Sequence, residues 1–131
     1  MTDAIQDFAE RYTAAWCSHD PQKVAAHFAT DGWLSVNTGE PAVGRPAIAA
    51  VAQGFMTVFP DLVLHLQALV PTANAIEYHW RLVGTANGPG DSGRIVDICG
   101  VEAWTLAPDG LIAQSRGRFD ADDYARQLGG A

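Results

Sequence analysis

The chain has 131 residues, 48% of them apolar, and a formal charge of −7, which suits one globular domain over residues 1–131 and argues against disorder. One lysine (Lys23) and no cationic cluster exclude a nucleic-acid footprint, which needs grouped Lys and Arg. No apolar run approaches the roughly 20 residues that span a bilayer, and the acidic start Met1-Thr2-Asp3-Ala4 does not read as a signal peptide. A cytoplasmic location is therefore expected, with Cys17 and Cys99 as reduced thiols and a disulfide as the alternative.

A first helix is expected over about Ala4–Ser18, because Ile5, Phe8, Tyr12 and Ala15/Trp16 share one helical face. Asp3 is placed to cap it, with Gln6 closing a capping box. His19-Asp20-Pro21 ends this helix and starts the next, Asp20 as cap and Pro21 in the first helical position. The second helix is short, turns Val24 and Phe28 inward, and gives way at Asp31-Gly32. A short strand follows over Trp33–Asn37, then a loop rich in Gly and Pro through Gly44. A third helix begins at Pro46 and stops at Pro60, with Ile48, Val51, Phe55 and Phe59 as its stripe.

The second half reads as strands. Leu62–Val70 sets Leu62, Leu64 and Leu66 against Val63, His65 and Gln67. After a turn at Thr72-Ala73-Asn74, Ala75–Thr85 puts Ile76, Tyr78, Trp80 and Leu82 on one face and Glu77, His79 and Arg81 on the other. Residues 86–93 (ANGPGDSG) read as a flexible hairpin tip without packing content; their Gly-Pro-Gly lacks the strand-to-helix setting of a phosphate loop. A long strand runs from Val96, Pro108-Asp109-Gly110 turns the chain, and Leu111–Phe119 is the last strand. Asp120 opens a tail in which Tyr124 and Leu128 dock as a helical turn. Helices followed by a strand meander point to an α+β fold.

Glu102 carries the most chemical information. Alternate residues Val96, Ile98, Gly100, Glu102, Trp104 and Leu106 share a face, so one carboxylate stands among small or apolar side chains. If that face looks inward, desolvation favours the protonated acid and makes Glu102 a candidate for acid–base chemistry. The opposite face (Ile95, Asp97, Cys99, Val101, Ala103) is also mostly apolar, so periodicity does not choose between them. The neighbouring strand, whose Trp80 face is clearly apolar, favours Glu102 inward. Trp16, Trp33, Trp80 and Trp104, with Phe55, Phe59, Tyr78 and Phe119, would line a pocket for a small apolar, aromatic or polycyclic ligand, and core packing accounts for at least two of the indoles. His19, His27, His65 and His79 stand at no metal-ligand spacing, so neither metal nor cofactor is expected.

Three helices and four long strands with a short early strand resemble the cone-shaped α+β barrel of the nuclear transport factor 2-like superfamily: helices packed on a strongly curved, mostly antiparallel sheet. Phe28-Ala29-Thr30-Asp31 is similar to the turn after its second helix, Gly44-Arg45-Pro46-Ala47-Ile48 to the start of its third, and Pro108-Asp109-Gly110-Leu111-Ile112 to its last hairpin. Within the superfamily the chain resembles the SnoaL-like polyketide cyclases, with ketosteroid isomerase and limonene-epoxide hydrolase more distant.

The resemblance implies an inward Glu102 at the position where ketosteroid isomerases hold a protonated Asp in their oxyanion hole. It implies Tyr12 as their tyrosine donor and Asp120 as the acid ending the last strand of SnoaL-like cyclases; as a residue type, Asp120 also reads as a helix cap. The isomerase base aligns with Val36, and Asn37 beside it is no base. The hydrolase arginine aligns with Gly100. Gln114-Ser115-Arg116 replaces the cyclase Glu-His-Trp, which places Ser115 in the lining. Relatives dimerise through the outer sheet face, so a homodimer is expected. The functional expectation is cofactor-independent isomerase- or cyclase-type chemistry on an apolar cyclic carbonyl compound. The alternative is a non-catalytic ligand-binding or dimerisation domain.

Overall fold

The computed structural model describes residues 2–87 and 93–129. In chain order they form α1 (Thr2–Cys17), α2 (Pro21–Ala25), β1 (Phe28–Val36), β2 (Ala42–Val43), α3 (Arg45–Val58), β3 (Val63–Pro71), β4 (Ile76–Thr85), β5 (Ile95–Leu106), β6 (Ile112–Phe119) and α4 (Ala121–Gln127). The strands make one sheet in the order β2-β1-β6-β5-β4-β3. Only β1 and β6 run parallel; the other neighbours are antiparallel. α1 packs on β3 and α3 on β1, closing the helices over the inner sheet face. The α+β expectation holds.

Local chemistry explains most boundaries. Asp20 accepts from Gln22 N at 3.0 Å and Pro21 opens α2, as its missing N–H allows. Asp3, by contrast, lies inside α1 rather than at its cap, and Gln6 donates to Glu10 one turn on. Phe28 is buried, but as the first residue of β1 rather than part of α2. Asn37 ends β1 with a positive φ of 52°, and its Oδ1 accepts from Phe119 N at 2.9 Å. Gly110 takes φ 87° in the last hairpin, where Gly110 N donates to Ala107 O.

Two irregularities reset the side-chain parity. Between Phe28 and Trp33 the β1–β6 pairing shifts, leaving Leu34 and Val36 inward and Trp33 outward. In β3 the bulge at Gln67 pairs Leu66 with Trp80 but Ala68 with His79, so Leu69 packs on the core while Val70 is exposed. The tip residues 88–92 of the 86–93 loop lie outside the described residues. Its first residue does carry packing content: Ala86 is fully buried and donates to Arg94 O.

Along the inner face of β4, β5 and β6 three cross-strand rows are in register: Ile76–Trp104–Ser115, Tyr78–Glu102–Gly117 and Trp80–Gly100–Phe119. Small residues alternate with large ones. A Cβ at Gly100 would stand 2.3 Å from Trp80 Cζ2, so the glycine is what lets that indole lie across β5. A carboxylate thus sits mid-sheet between a ring-stacked row and a glycine-floored row.

Candidate functional site

Glu102 is 7% exposed, and its carboxyl group is the meeting point of three elements. Oε1 accepts from Ser115 Oγ at 2.8 Å (β6), Trp104 Nε1 at 3.0 Å (β5) and the Tyr12 hydroxyl at 3.0 Å (α1). Among the described residues Oε2 has only the second arm of the Tyr12 bond, at 3.2 Å. The two oxygens are therefore unequal: one is saturated by donors, the other nearly free. Burial pushes the Glu102 carboxyl above its usual range, while the Trp104, Ser115 and Tyr12 bonds pull the other way. Tyr12, fully buried beside this acid, is held well above the ordinary phenol range, first by desolvation and then by the Glu102 charge.

The donors are themselves fixed. Tyr78 stacks on Trp104 with centroids 4.8 Å apart, and its hydroxyl lies 2.6 Å from Thr13 Oγ1. Thr13 spends its own proton on Ala9 O, so Tyr78 is the donor of that pair. Phe8 and Tyr12 meet the Trp104 ring edge-on at 5.6 and 5.2 Å. The Glu102 network is thus held in place by stacked and edge-on aromatic rings.

Glu102 lies in the wall of a cavity of about 50 Å³ whose other walls, Arg118 aside, are apolar. Trp16 and Phe55 form one side, Trp80 and Phe119 another, with Leu34, Val36, Val51, Leu64, Leu82, Gly117 and Arg118 completing it. Of the aromatic residues expected to line a pocket, Trp16, Phe55, Trp80 and Phe119 do so. The aliphatic part of the lining, Val36 and Gly117 above all, had no polar or aromatic signal in the sequence to mark it.

The remaining expectations need correction. Trp33 is on the outer face, with the Arg116 guanidinium 5.2 Å over its ring. Phe59 is fully buried against Tyr124, where Gly84 makes room for it, and does not line the cavity. Tyr78, Trp104 and Ser115 stand behind Glu102 rather than in the lining, and Tyr12 bonds Glu102 instead of reaching into the cavity. Asp120 is exposed and caps α4, its Oδ1 accepting from Asp123 N at 3.0 Å. A cavity of this size is also smaller than the roughly 150 Å³ void that takes benzene in an engineered protein core, so even a single-ring ligand would have to part the walls.

The sequence from residue 9 to residue 115 matches the SnoaL-like domain. The chain belongs to that family. The SnoaL-like chain superposes on a putative SnoaL-like polyketide cyclase from Jannaschia sp. CCS1 with a TM-score of 0.82, at 19% identity over 95% of this chain and 91% of that one. It matches TsrD from Streptomyces laurentii with a TM-score of 0.83, at 22% identity over 98% and 97% of the two chains. A hypothetical protein with a ketosteroid isomerase-like fold from Catenulispora acidiphila DSM 44928, solved in complex with trimethylamine, gives 0.82 at 14% identity over 95% and 93%. At these identities the likeness is one of fold, and it bears out the cone-shaped nuclear transport factor 2-like architecture. No curated protein matches the SnoaL-like chain. None of its described helices is long and apolar enough to cross a membrane, and no three His, Cys, Asp or Glu side chains among the described residues converge as metal ligands.

Proposed function

We propose that this SnoaL-like chain is a small-molecule enzyme in which Glu102 alone shuttles a proton on a compact, apolar, cyclic carbonyl compound, without a cofactor. The observation that carries this reading is the inequality of the two Glu102 oxygens. Oε1 is committed to Ser115, Trp104 and Tyr12, which leaves Oε2, with only the 3.2 Å arm of the Tyr12 bond, for a ligand. As a carboxylate, Oε2 would remove a proton from the carbon beside the carbonyl; the C–H electrons pass into the enolate, and the proton returns to another carbon. An acid shifted toward neutral pH suits both halves of that cycle. Asp120 has no part in it, and Tyr12, Trp104 and Ser115 act by holding the carboxyl group.

The test is exchange. With cyclopentanone in D2O, protein-dependent deuterium uptake at the α carbon, followed by NMR, is expected from the wild type and is expected to vanish in Glu102→Gln. Equal exchange in both proteins would overturn the proposal.

A second reading, a non-catalytic ligand-binding domain, is favoured by Val36. It lines the cavity at the position where the isomerases place their base, and among the described residues Glu102 is the only carboxylate in the lining. A neighbour solved with trimethylamine is consistent with small-ligand binding. Absence of exchange together with saturable binding would select it.

Two further expectations belong to the same reading. The outer sheet face, with exposed Val63 and Ile95 beside the Arg81–Asp97 pair at 2.6 Å, is proposed as a homodimer surface. A cytoplasmic location is proposed from the reduced thiols.

A further inference from the structure

Among the described buried side chains, two polar atoms have no hydrogen-bond partner: the indole nitrogens of Trp16 and Trp80. Both residues line the cavity that contains Glu102. A buried N–H without an acceptor costs stability, and native proteins rarely leave one unless another purpose is served. The two differ. Trp16 Nε1 lies near the Tyr12 oxygen, on which it exerts a pull, though outside hydrogen-bond geometry. Trp80 Nε1 has no acceptor within hydrogen-bond geometry among the described residues.

Trp80 is also the better placed. It is 8% exposed, its ring is wedged edge-on to Phe119 at 6.0 Å, and Gly100 gives it room to lie across β5 one row from Glu102. We infer that the indole N–H of Trp80 is a ligand-recognition donor, receiving the carbonyl oxygen of the compound on which Glu102 acts. This rests on the proposal that the cavity is the substrate site. It deepens that proposal by supplying what Glu102 cannot: with Oε2 engaged at carbon, some other group must hold the oxygen on which enolate charge develops. A ligand oxygen arriving at Trp80 breaks no existing bond of that N–H, so the gain is undiminished.

The test uses protein labelled with 15N at the indole nitrogens, titrated with cyclopentanone and, separately, with methylenecyclopentane, which keeps the shape but lacks the acceptor. Trp16→Phe and Trp80→Phe spectra assign the two resonances. Cyclopentanone is expected to move the Trp80 N–H downfield and methylenecyclopentane to leave it near its free position. Trp80→Phe, which keeps a ring in the wall, is expected to weaken cyclopentanone binding roughly three- to tenfold more than methylenecyclopentane binding, the worth of one net hydrogen bond.

Three results overturn the inference: an unmoved Trp80 resonance, equal loss of both ligands in Trp80→Phe, or no cyclopentanone binding at all. Failure of the Glu102 proposal is distinguishable. In that case exchange at the α carbon is absent while the Trp80 shift persists, and Glu102→Gln leaves the shift in place.

Discussion

The Tyr12 hydroxyl lies 3.0 Å from Glu102 Oε1 and 3.2 Å from Oε2, joining the first helix to the middle of the sheet across 90 positions of sequence. Removing it leaves the carboxyl group with two donors, both on Oε1. Since a bond to the charged form favours that form, Tyr12→Phe is expected to raise the Glu102 pKa further and to cost about 1–3 kcal/mol of stability. NMR titration of the Glu102 side-chain carbonyl and urea unfolding check the two halves. A lowered or unchanged pKa would remove Tyr12 from the network.

Glu102 makes stability depend on pH in a definite direction. Its folded pKa is raised, so between the unfolded value of about 4.5 and the folded value the native state holds a proton that the unfolded chain has lost. Stability from this group is complete below the unfolded pKa, falls as pH rises through that window, and stays lost above it. Glu102→Gln removes the effect. The melting temperature of the variant relative to wild type is expected to rise from pH 4 to pH 8. Parallel profiles would contradict the buried, shifted acid.

Gly100 is expected to tolerate no side chain. The added carbon of Gly100→Ala would meet Trp80 Cζ2 at 2.3 Å and Arg118 O at 2.7 Å, and the second contact is backbone. A loss of about 1–3 kcal/mol is expected, as for overpacked cores, together with a change in Trp80 fluorescence. Wild-type stability in denaturant would show that the indole has free space this structure does not give it.

Asp120 separates a cap from a catalyst. Asp120→Asn keeps an N-cap acceptor and is expected to leave both stability and any α-proton exchange at wild-type levels. Asp120→Ala is expected to cost about 1 kcal/mol without touching exchange. Loss of exchange in a stable Asp120→Asn would restore the residue to the chemistry.

Much of the fold was legible along the chain because its signals are local. The apolar stripe of α1, the Asp20-Pro21 start of α2 and the Pro108-Asp109-Gly110 turn each work through neighbours a few positions apart. The inward Glu102 was legible too, once the Trp80 face of β4 broke the tie between two apolar faces of β5. Parity was the weak point: β1 gains three residues on β6 between Phe28 and Trp33, β3 gains one on β4 at Gln67, and an odd shift exchanges a strand's faces. That is why Trp33, an apparent lining residue, packs under Arg116 on the outside.

By itself, then, the order of residues determined which elements form and which strand carries the one acid among apolar neighbours, since both follow from spacing. Only the tertiary structure decided what that acid touches. Tyr12, Trp104 and Ser115 come from three elements, and no spacing rule links a helix hydroxyl to a strand carboxyl 90 residues away. The same holds for the cavity: which aromatic rings border empty space and which are packed solid depends on cross-strand register and on where glycines leave room, and these exist only once the sheet has closed.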